Sequence, residues 1–324
     1  MKYDVLCISH VKDADGICSA TIVRMAKGGK TLLADYSDII KTLASVKEVN
    51  NLYICDLGLN AKNANDFIKH TSRLAKKGKV EYIDHHPINE DIKNKLEKEG
   101  ILVTNSIEES CAMLVYERFK EEIPKRASMI AAFGAIGDFM DSKYLASKII
   151  ENSDRVFLLY EASMLSHSIA IKQSNEKFLL KLIKEMANGK MPHTIEGVVE
   201  SSIEQAAKIN EIINQVESEG KVMKNLAWVM NDKGSSGSVA SILLGVFNVP
   251  VGIALKNEEK GKIEMSIRAS SKCKSHLGEL IGQITTEIGG FGGGHPRASG
   301  AQIPSNKIKY FLETLDQKLE ISNE

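Results

Sequence analysis

Four short segments of this 324-residue chain carry the side chains best suited to chemistry: Ser9-His10-Val11-Lys12-Asp13-Ala14-Asp15-Gly16, Asp56-Leu57-Gly58, Asp84-His85-His86-Pro87 and Gly137-Asp138. The first three each follow a short apolar run. Carboxylates with a little imidazole make an oxygen-rich donor set, which suits Mn²⁺ or Mg²⁺ better than structural zinc. The Asp13-x-Asp15 spacing lets two carboxylates point inward together where the chain turns at a strand end. Asp56 offers two oxygens that can bridge two ions, and His85 and Asp138 can complete the second ion's ligands. Two ions about 3.5–4 Å apart clamp both the attacking and the leaving oxygen of a displacement at phosphorus. The chemistry is then hydrolysis of a phosphate ester or anhydride. Each residue also has an ordinary role open to it. An Asp after a strand often caps the next helix, adjacent histidines are often surface polar residues, and Asp13 and Asp15 can form a turn closed by Gly16. Four separate loops bringing acids to one edge weigh jointly against those roles.

A second segment, Gly289-Gly290-Phe291-Gly292-Gly293-Gly294-His295-Pro296-Arg297, holds five glycines in its first six positions. Glycine permits positive φ and lets backbone N–H groups approach an anion. No Gly-Lys-Ser/Thr follows, so it is not a Walker loop. His295 and Arg297 add charge-assisted contacts to a phosphate. Arg268 supplies another, in a neighbourhood made basic by Lys272 and Lys274. The ordinary alternative is a flexible surface loop.

These residues need elements to position them. Val5–Ile8, Asn51–Cys55 and Val80–Ile83 are runs of strand formers. Between them Gly16–Lys27, Ala61–Lys76 and Glu90–Glu99 have helical character, with Gly28-Gly29, Gly78 and Gly100 where helices stop. Strand and helix in alternation predict a parallel sheet covered by helices, whose ligands bind outside the carboxyl ends of the strands. From about Lys125 to Val216 the pattern is helical. Near Gly220 a second unit begins, with strands at Leu226–Met230, Pro250–Leu255 and Lys262–Ile267 and helices at Ser238–Val246 and Pro304–Leu319.

Composition narrows the partners. Lys+Arg and Asp+Glu both number 42, which argues against a basic coat for duplex DNA but not against a local basic cleft. Aromatics are 6% with one Trp, too few for a long base-stacking platform. Cys7, Cys18, Cys55, Cys111 and Cys273 form no CxxC pair and read as reduced thiols. The N-terminus carries Asp4 where a signal peptide needs an apolar core. The longest apolar stretch, Ala240–Leu255, is too short to span a bilayer. A cytoplasmic protein without membrane contact is expected.

The sequence resembles the DHH phosphoesterase superfamily, named for the motif present here as Asp84-His85-His86. Its four motifs stand in order as Asp13-x-Asp15-Gly16, Asp56, Asp84-His85-His86 and Asp138. The glycine-rich segment is similar to the DHHA1 domain of the RecJ-like and oligoribonuclease-like branch, in its archaeal form. The resemblance covers nearly the whole chain and implies an α/β fold. A parallel-sheet DHH catalytic domain (1–187) is expected to join, through a helical connector (188–219), a smaller α/β DHHA1 substrate domain (220–324), with the active site in the groove between. It further implies that Asp13 and Asp56 hold one manganese, and Asp15, Asp56, His85 and Asp138 the other, with Mg²⁺ as the alternative. His10 is a further ligand by analogy with relatives whose first motif begins with His, although its three-residue spacing to Asp13 differs among branches. Asp56, His85 and His86 are the catalytic candidates. His86, Arg268, Gly293, Gly294, His295 and Arg297 are the phosphate-binding ones. Asp84 is expected to orient an imidazole so that the correct nitrogen meets the metal.

The expected activity is that of a RecJ-like single-strand-specific exonuclease or an oligonucleotide-degrading nuclease using two manganese ions. Its partners would be single-stranded DNA or RNA or short oligonucleotides, with a replication or repair protein or a second copy of the chain as further candidates. The closest rival is a small-nucleotide phosphodiesterase acting on adenosine 3′,5′-bisphosphate or a cyclic dinucleotide. A non-catalytic replication scaffold is disfavoured, because every ligand position is filled.

Overall fold

A computed structural model describes residues 2–59, 62–231, 234–258 and 261–321. The chain forms two compact units, Met1–Gln205 and Ala206–Glu324. In the first, strands and helices alternate as β1 (Lys2–His10), α1 (Ala14–Lys27), β2 (Lys30–Ala34), α2 (Ile39–Ser45), β3 (Glu48–Cys55), α3 (Ala64–Ala75), β4 (Lys79–Asp84), α4 (Glu90–Lys98) and β5 (Ile101–Asn105). Helices follow: α5 (Cys111–Phe119), α6 (Ala127–Gly137), α7 (Tyr144–Glu151), α8 (Arg155–Lys172), α9 (Glu176–Ala187) and α10 (Val198–Glu219). The division between the units falls inside α10. Its Val198 is buried in the first unit's core and its Ile212 and Val216 in a core of the second.

All five strands of the first unit pair in parallel, in the order β2-β1-β3-β4-β5. Alternate residues serve opposite faces. Leu6, Ile8, Leu52, Ile54, Val80 and Tyr82 pack with Ile39, Leu43, Phe67, Leu74 and Leu96 of α2–α4. Cys7, Tyr53, Cys55 and Ile83 pack with α1, α5, α6, α8 and α9. Because the strand period is two, a one-residue slip would exchange the cores. The strand order reverses between β1 and β3, and such a switch point opens a crevice at the strands' carboxyl ends. His10 ends β1 and Asp56 follows β3 at that place.

The second unit contains β6 (Lys221–Val222), β7 (Leu226–Met230), α11 (Ser236–Phe247), β8 (Val251–Glu258), β9 (Lys262–Ala269), α12 (Leu277–Glu287), β10 (Phe291–Gly294), β11 (Ala298–Pro304) and α13 (Ile308–Lys318). Its sheet runs β10-β11-β9-β8-β7-β6, with β7 and β8 parallel and the other neighbours antiparallel. One face packs on α12 and α13, the other on α11 and the end of α10.

Several elements differ from the sequence expectation. Two short edge strands, β2 and β5, flank the three expected ones. The last helix starts at Ile308, since Pro304 still belongs to β11. The helix expected from Ala61 begins at Ala64, and Ala61 lies outside the described residues. Part of the glycine-rich segment is not a loop but the edge strand β10. Among the described residues, no helix is long and apolar enough to cross a membrane.

Candidate metal centre

Local structure aims each acid. Asp13 caps α1, its Oδ1 accepting from the Gly16 N–H at 3.0 Å. Gly16 is required there, since a Cβ would fall 2.4 Å from the His10 carbonyl oxygen. Asp15, in the first turn of α1, is wholly buried. Its two oxygens accept the N–H groups of Cys111 (2.7 Å) and Ala112 (2.8 Å) at the start of α5, where the helix dipole favours negative charge. Asp56 leaves β3 in the left-handed region, at φ 58°, and its N–H donates to the Ile83 carbonyl at 3.1 Å. Asp138 caps the C-terminus of α6. That helix reaches the site because Gly134 and Gly137 leave room. A Cβ on Gly134 would lie 2.7 Å from Asp15 Oδ1, and one on Gly137 2.6 Å from the Ala14 Cβ.

The side chains converge. His85 Nε2 lies 3.3 Å from Asp56 Oδ1, 3.5 Å from Asp138 Oδ2 and 3.9 Å from Asp15 Oδ2. His10 Nδ1 lies 2.7 Å from Asp13 Oδ2 and 3.7 Å from Asp56 Oδ2. Three groups have donor atoms close enough to share one ion: His10, Asp13 and Asp56; Asp15, His85 and Asp138; and Asp56, His85 and His86. Asp56 thus belongs to two sets of donors, with one oxygen toward His85 and the other toward His10. Two buried atoms, Asp56 Oδ2 and His10 Nε2, have no hydrogen-bond partner among the described residues. Buried polar atoms without partners are costly; a divalent cation would satisfy Asp56 Oδ2, while His10 Nε2 faces Asp35 Oδ1 at 3.5 Å. By that test the residues fit a metal centre.

The electrostatics agree. Burial, and then the charge of Asp56, hold Asp15 well above the usual carboxylate range. Burial and Asp13 raise Asp56, and burial lifts Asp138 to about 6 despite His85. Burial alone would lower both imidazoles, but the acids outweigh it. Asp13 and Asp56 raise His10 to about 10, and Asp56 with Asp15 raises His85 to about 9. Burial tends to raise Asp13, but His10 holds it low. So many acids in one buried place call for positive charge. Imidazolium supplies it here, and bound cations would supply more.

His86 shares a donor group with Asp56 and His85 but has partners of its own. It donates from Nδ1 to Asp84 Oδ1 at 3.0 Å and from its backbone N–H to Asp84 Oδ2 at 3.2 Å. Tyr82 donates to the same carboxylate at 3.0 Å. The imidazole that Asp84 orients is therefore His86, not His85. Sequence reasoning missed Tyr36, Asp35 and Asn105, and the role of Gly58. Tyr36 brings its hydroxyl 3.1 Å from His86 Nε2 and its ring 4.7 Å from that of His10. Asp35 Oδ1 lies 3.5 Å from His10 Nε2. Asn105 donates to the carbonyls of Asp84 and His86, both at 2.9 Å. Gly58 leaves space for the His86 ring, because a Cβ would stand 2.8 Å from its Cγ. The only signal that could have found Asp35 was its place after Leu32-Leu33-Ala34.

In the second unit, Arg268 near the end of β9 pairs in register with Ala298, just past His295–Arg297. Its guanidinium donates to the Ile267 carbonyl at 3.0 Å and sits over the first turn of α11, 2.7 Å from where a Gly237 Cβ would be. His295 and Arg297 are exposed, and the His295 N–H closes a turn onto Ala298 at 2.8 Å. Gly293 and Gly294 have φ of 152° and 146°. Gly278 lets α12 lie directly on β10, since a Cβ there would fall 2.0 Å from the Gly294 carbonyl oxygen.

Comparison with known proteins gives two family matches. Residues 4–137 match the DHH family, N-terminal domain, and residues 226–321 the DHHA1 domain, together more than two thirds of the chain. An uncharacterized protein of Methanocaldococcus jannaschii is 36% identical over 66 residues, 18% of this chain and 20% of that protein. The match therefore spans only a fifth of that relative's length. The fold is similar to that of PggH, a pGpG-specific phosphodiesterase of Vibrio cholerae, with TM-score 0.64, 16% identity, and 97% of this chain and 98% of that one covered. It is also similar to the DHH domain of a protein assigned to a family of ribosomal proteins (TM-score 0.71, 16% identity, 98% and 87% covered). RecJ of Thermus thermophilus, solved with Mn²⁺, aligns at TM-score 0.57 and 15% identity over 97% of this chain, which spans about half of RecJ (52%).

Proposed function

For this chain, which belongs to the DHH phosphoesterase superfamily in its DHH plus DHHA1 branch, we propose the function of a divalent-metal phosphodiesterase that degrades short single-stranded oligonucleotides. The observation that carries the proposal is the convergence of His85 Nε2 on three carboxylates, beside the buried Asp56 Oδ2 that has no hydrogen-bond partner among the described residues. Two manganese ions, or magnesium in their place, supply Lewis-acid charge for displacement at phosphorus when bound. His10, Asp13 and Asp56 would hold one ion, and Asp15, Asp56, His85 and Asp138 the other. Asp56 would be the shared ligand, and the N-terminus of α5 fixes the Asp15 carboxylate.

His86 binds the substrate phosphate. Asp84 fixes the proton on its Nδ1, and the attraction of Asp84 outweighs burial and raises the ring's pKa. Its Nε2, beside the Tyr36 hydroxyl at 3.1 Å, would turn from that contact to a phosphate oxygen, and a protonated ring makes a charge-assisted bond stronger than a neutral one. We assign Arg268, His295 and Arg297 to further substrate phosphates, with Gly293 and Gly294 shaping the adjoining strand.

The alignment with a pGpG-specific phosphodiesterase over 97% of this chain and 98% of that one favours a short substrate. That observation also keeps a second reading in play, a phosphodiesterase of small nucleotides such as adenosine 3′,5′-bisphosphate or a cyclic dinucleotide. The test is incubation with Mn²⁺ and short RNA and DNA strands labelled at either end, with the bisphosphate in parallel. A ladder shrinking from one end, absent with Asp56→Asn, supports the proposal and gives the polarity. Hydrolysis of the bisphosphate alone transfers support to the second reading.

A further inference from the structure

Phe139 directly follows Asp138, and its side chain is 90% exposed. The end of α6 closes with the Met140 N–H on the Ala135 carbonyl (2.8 Å) and the Phe139 N–H on that of Ile136 (3.3 Å). In this cap the residue after the helix takes the left-handed conformation and is usually glycine. Here it is Phe, at φ 58°. Among the described residues, the other non-glycine positions with positive φ are Asp56, in the metal centre, and Asn248, a helix cap where Asn is at home. Phe139 combines a strained backbone with an apolar ring left in water, and neither helps the fold. Strain of this kind gathers at functional sites.

Ile107 and Tyr144 are also exposed. Their loops are tied together by Lys143 with Glu108 (3.1 Å) and by the Leu145 N–H with Glu109 Oε1 (2.7 Å). The loop that carries Ile107 is thus tied to the segment that follows Phe139.

We propose that Phe139 is a base-stacking residue, on which the nucleobase next to the scissile phosphate lies. The inference rests on the metal-centre reading above and adds the part of the substrate that is recognised. A base is tethered to the reacting phosphate by one sugar, so its binding surface must lie close to the ligands that hold the ions. Phe139 is the residue adjoining one of them. Stacking needs only a π face, so it accepts any base. A single ring of this kind serves a terminal nucleotide and needs no long aromatic platform.

The test compares a dinucleotide with its analogue lacking the base, under Mn²⁺, for the wild type, Phe139→Gly and Phe139→Trp. The wild type should prefer the dinucleotide about tenfold in KM, the scale of one stacked base. Phe139→Gly should raise the dinucleotide KM about tenfold and erase that preference, and Phe139→Trp should retain it. Phe139→Gly should also melt a few degrees higher, because glycine carries no strain at this cap, so its loss cannot be blamed on unfolding. A wild type that treats both substrates alike, or a Phe139→Gly that keeps the preference, overturns the inference while leaving the phosphodiesterase intact. A wild type that cleaves neither overturns the reading beneath it.

Discussion

Metal-free protein should lose stability as pH rises from about 6.5 toward 9–10, and bound cation should remove the loss. His10 is raised from 6.5 to about 10 and His85 from 6.5 to about 9. In the unfolded chain both rings lose their protons near 6.5, while the folded chain still holds them. Their contribution is complete below 6.5 and disappears as pH passes through the folded values. Each pH unit over which the folded state holds one extra proton costs about 1.4 kcal/mol. Both rings lean on Asp56, so the two contributions are not additive, and we expect a total loss of about 3 kcal/mol. For a unit of this size that lowers Tm by roughly 6–12 °C. Burial and repulsion raise Asp15 and Asp56, which acts in the same direction between the ordinary carboxylate value of the unfolded chain and their raised folded values. Metal reverses the trend, because its ligands must be deprotonated and binding releases protons. The assay is urea unfolding followed by circular dichroism at pH 6.5, 8 and 9, in EDTA and in saturating Mg²⁺, which stays soluble at the alkaline end. A flat EDTA series, or the same slope in both series, would refute the electrostatic description of the site.

Three substitutions probe the supports of the centre. Asp84→Asn leaves a buried amide where Tyr82 and His86 donate to a carboxylate, so stability should fall by about 1–3 kcal/mol and turnover by about 10–100-fold, measured by urea unfolding and steady-state kinetics. Gly134→Ala puts a methyl 2.7 Å from Asp15 Oδ1; calorimetry should show Mn²⁺ affinity reduced at least about tenfold, with about 1–3 kcal/mol of overpacking cost. Gly58→Ala presses on the His86 ring, with its Cβ 2.8 Å from Cγ, and should lower turnover more than Mn²⁺ affinity when the two are measured on the same preparation.

The sequence made the central strands legible because both their faces are buried. Cys7 and Leu6, or Ile54 and Cys55, are apolar in succession, and the carboxylates that follow such runs stand out. The strands at the edges carry less signal. Lys30-Thr31-Leu32-Leu33-Ala34 is short, and its strand state is set by pairing with β1, so Asp35 and Tyr36 after it escaped notice. The same holds for β5 and Asn105. Strand β10 is nearly all glycine and has no strand propensity of its own; it exists because β11 pairs with it and α12 covers it. Which imidazole Asp84 holds depends on a side-chain direction that no spacing encodes. Gly134 and Gly137 matter only because α6 passes α1 closely, a packing fact invisible before the fold is known.

Asp56 is the hinge of the proposed chemistry, and Asn is the substitution that removes its charge while tolerating φ 58°. The decisive measurement is the electron paramagnetic resonance spectrum of metal-stripped protein titrated with Mn²⁺, wild type against Asp56→Asn. The wild type should take up two ions per chain with a spin-coupled spectrum, and Asp56→Asn should show uncoupled Mn²⁺ and weakened uptake. A single uncoupled ion in the wild type, or the same coupled spectrum in both proteins, is incompatible with a two-ion centre shared through Asp56.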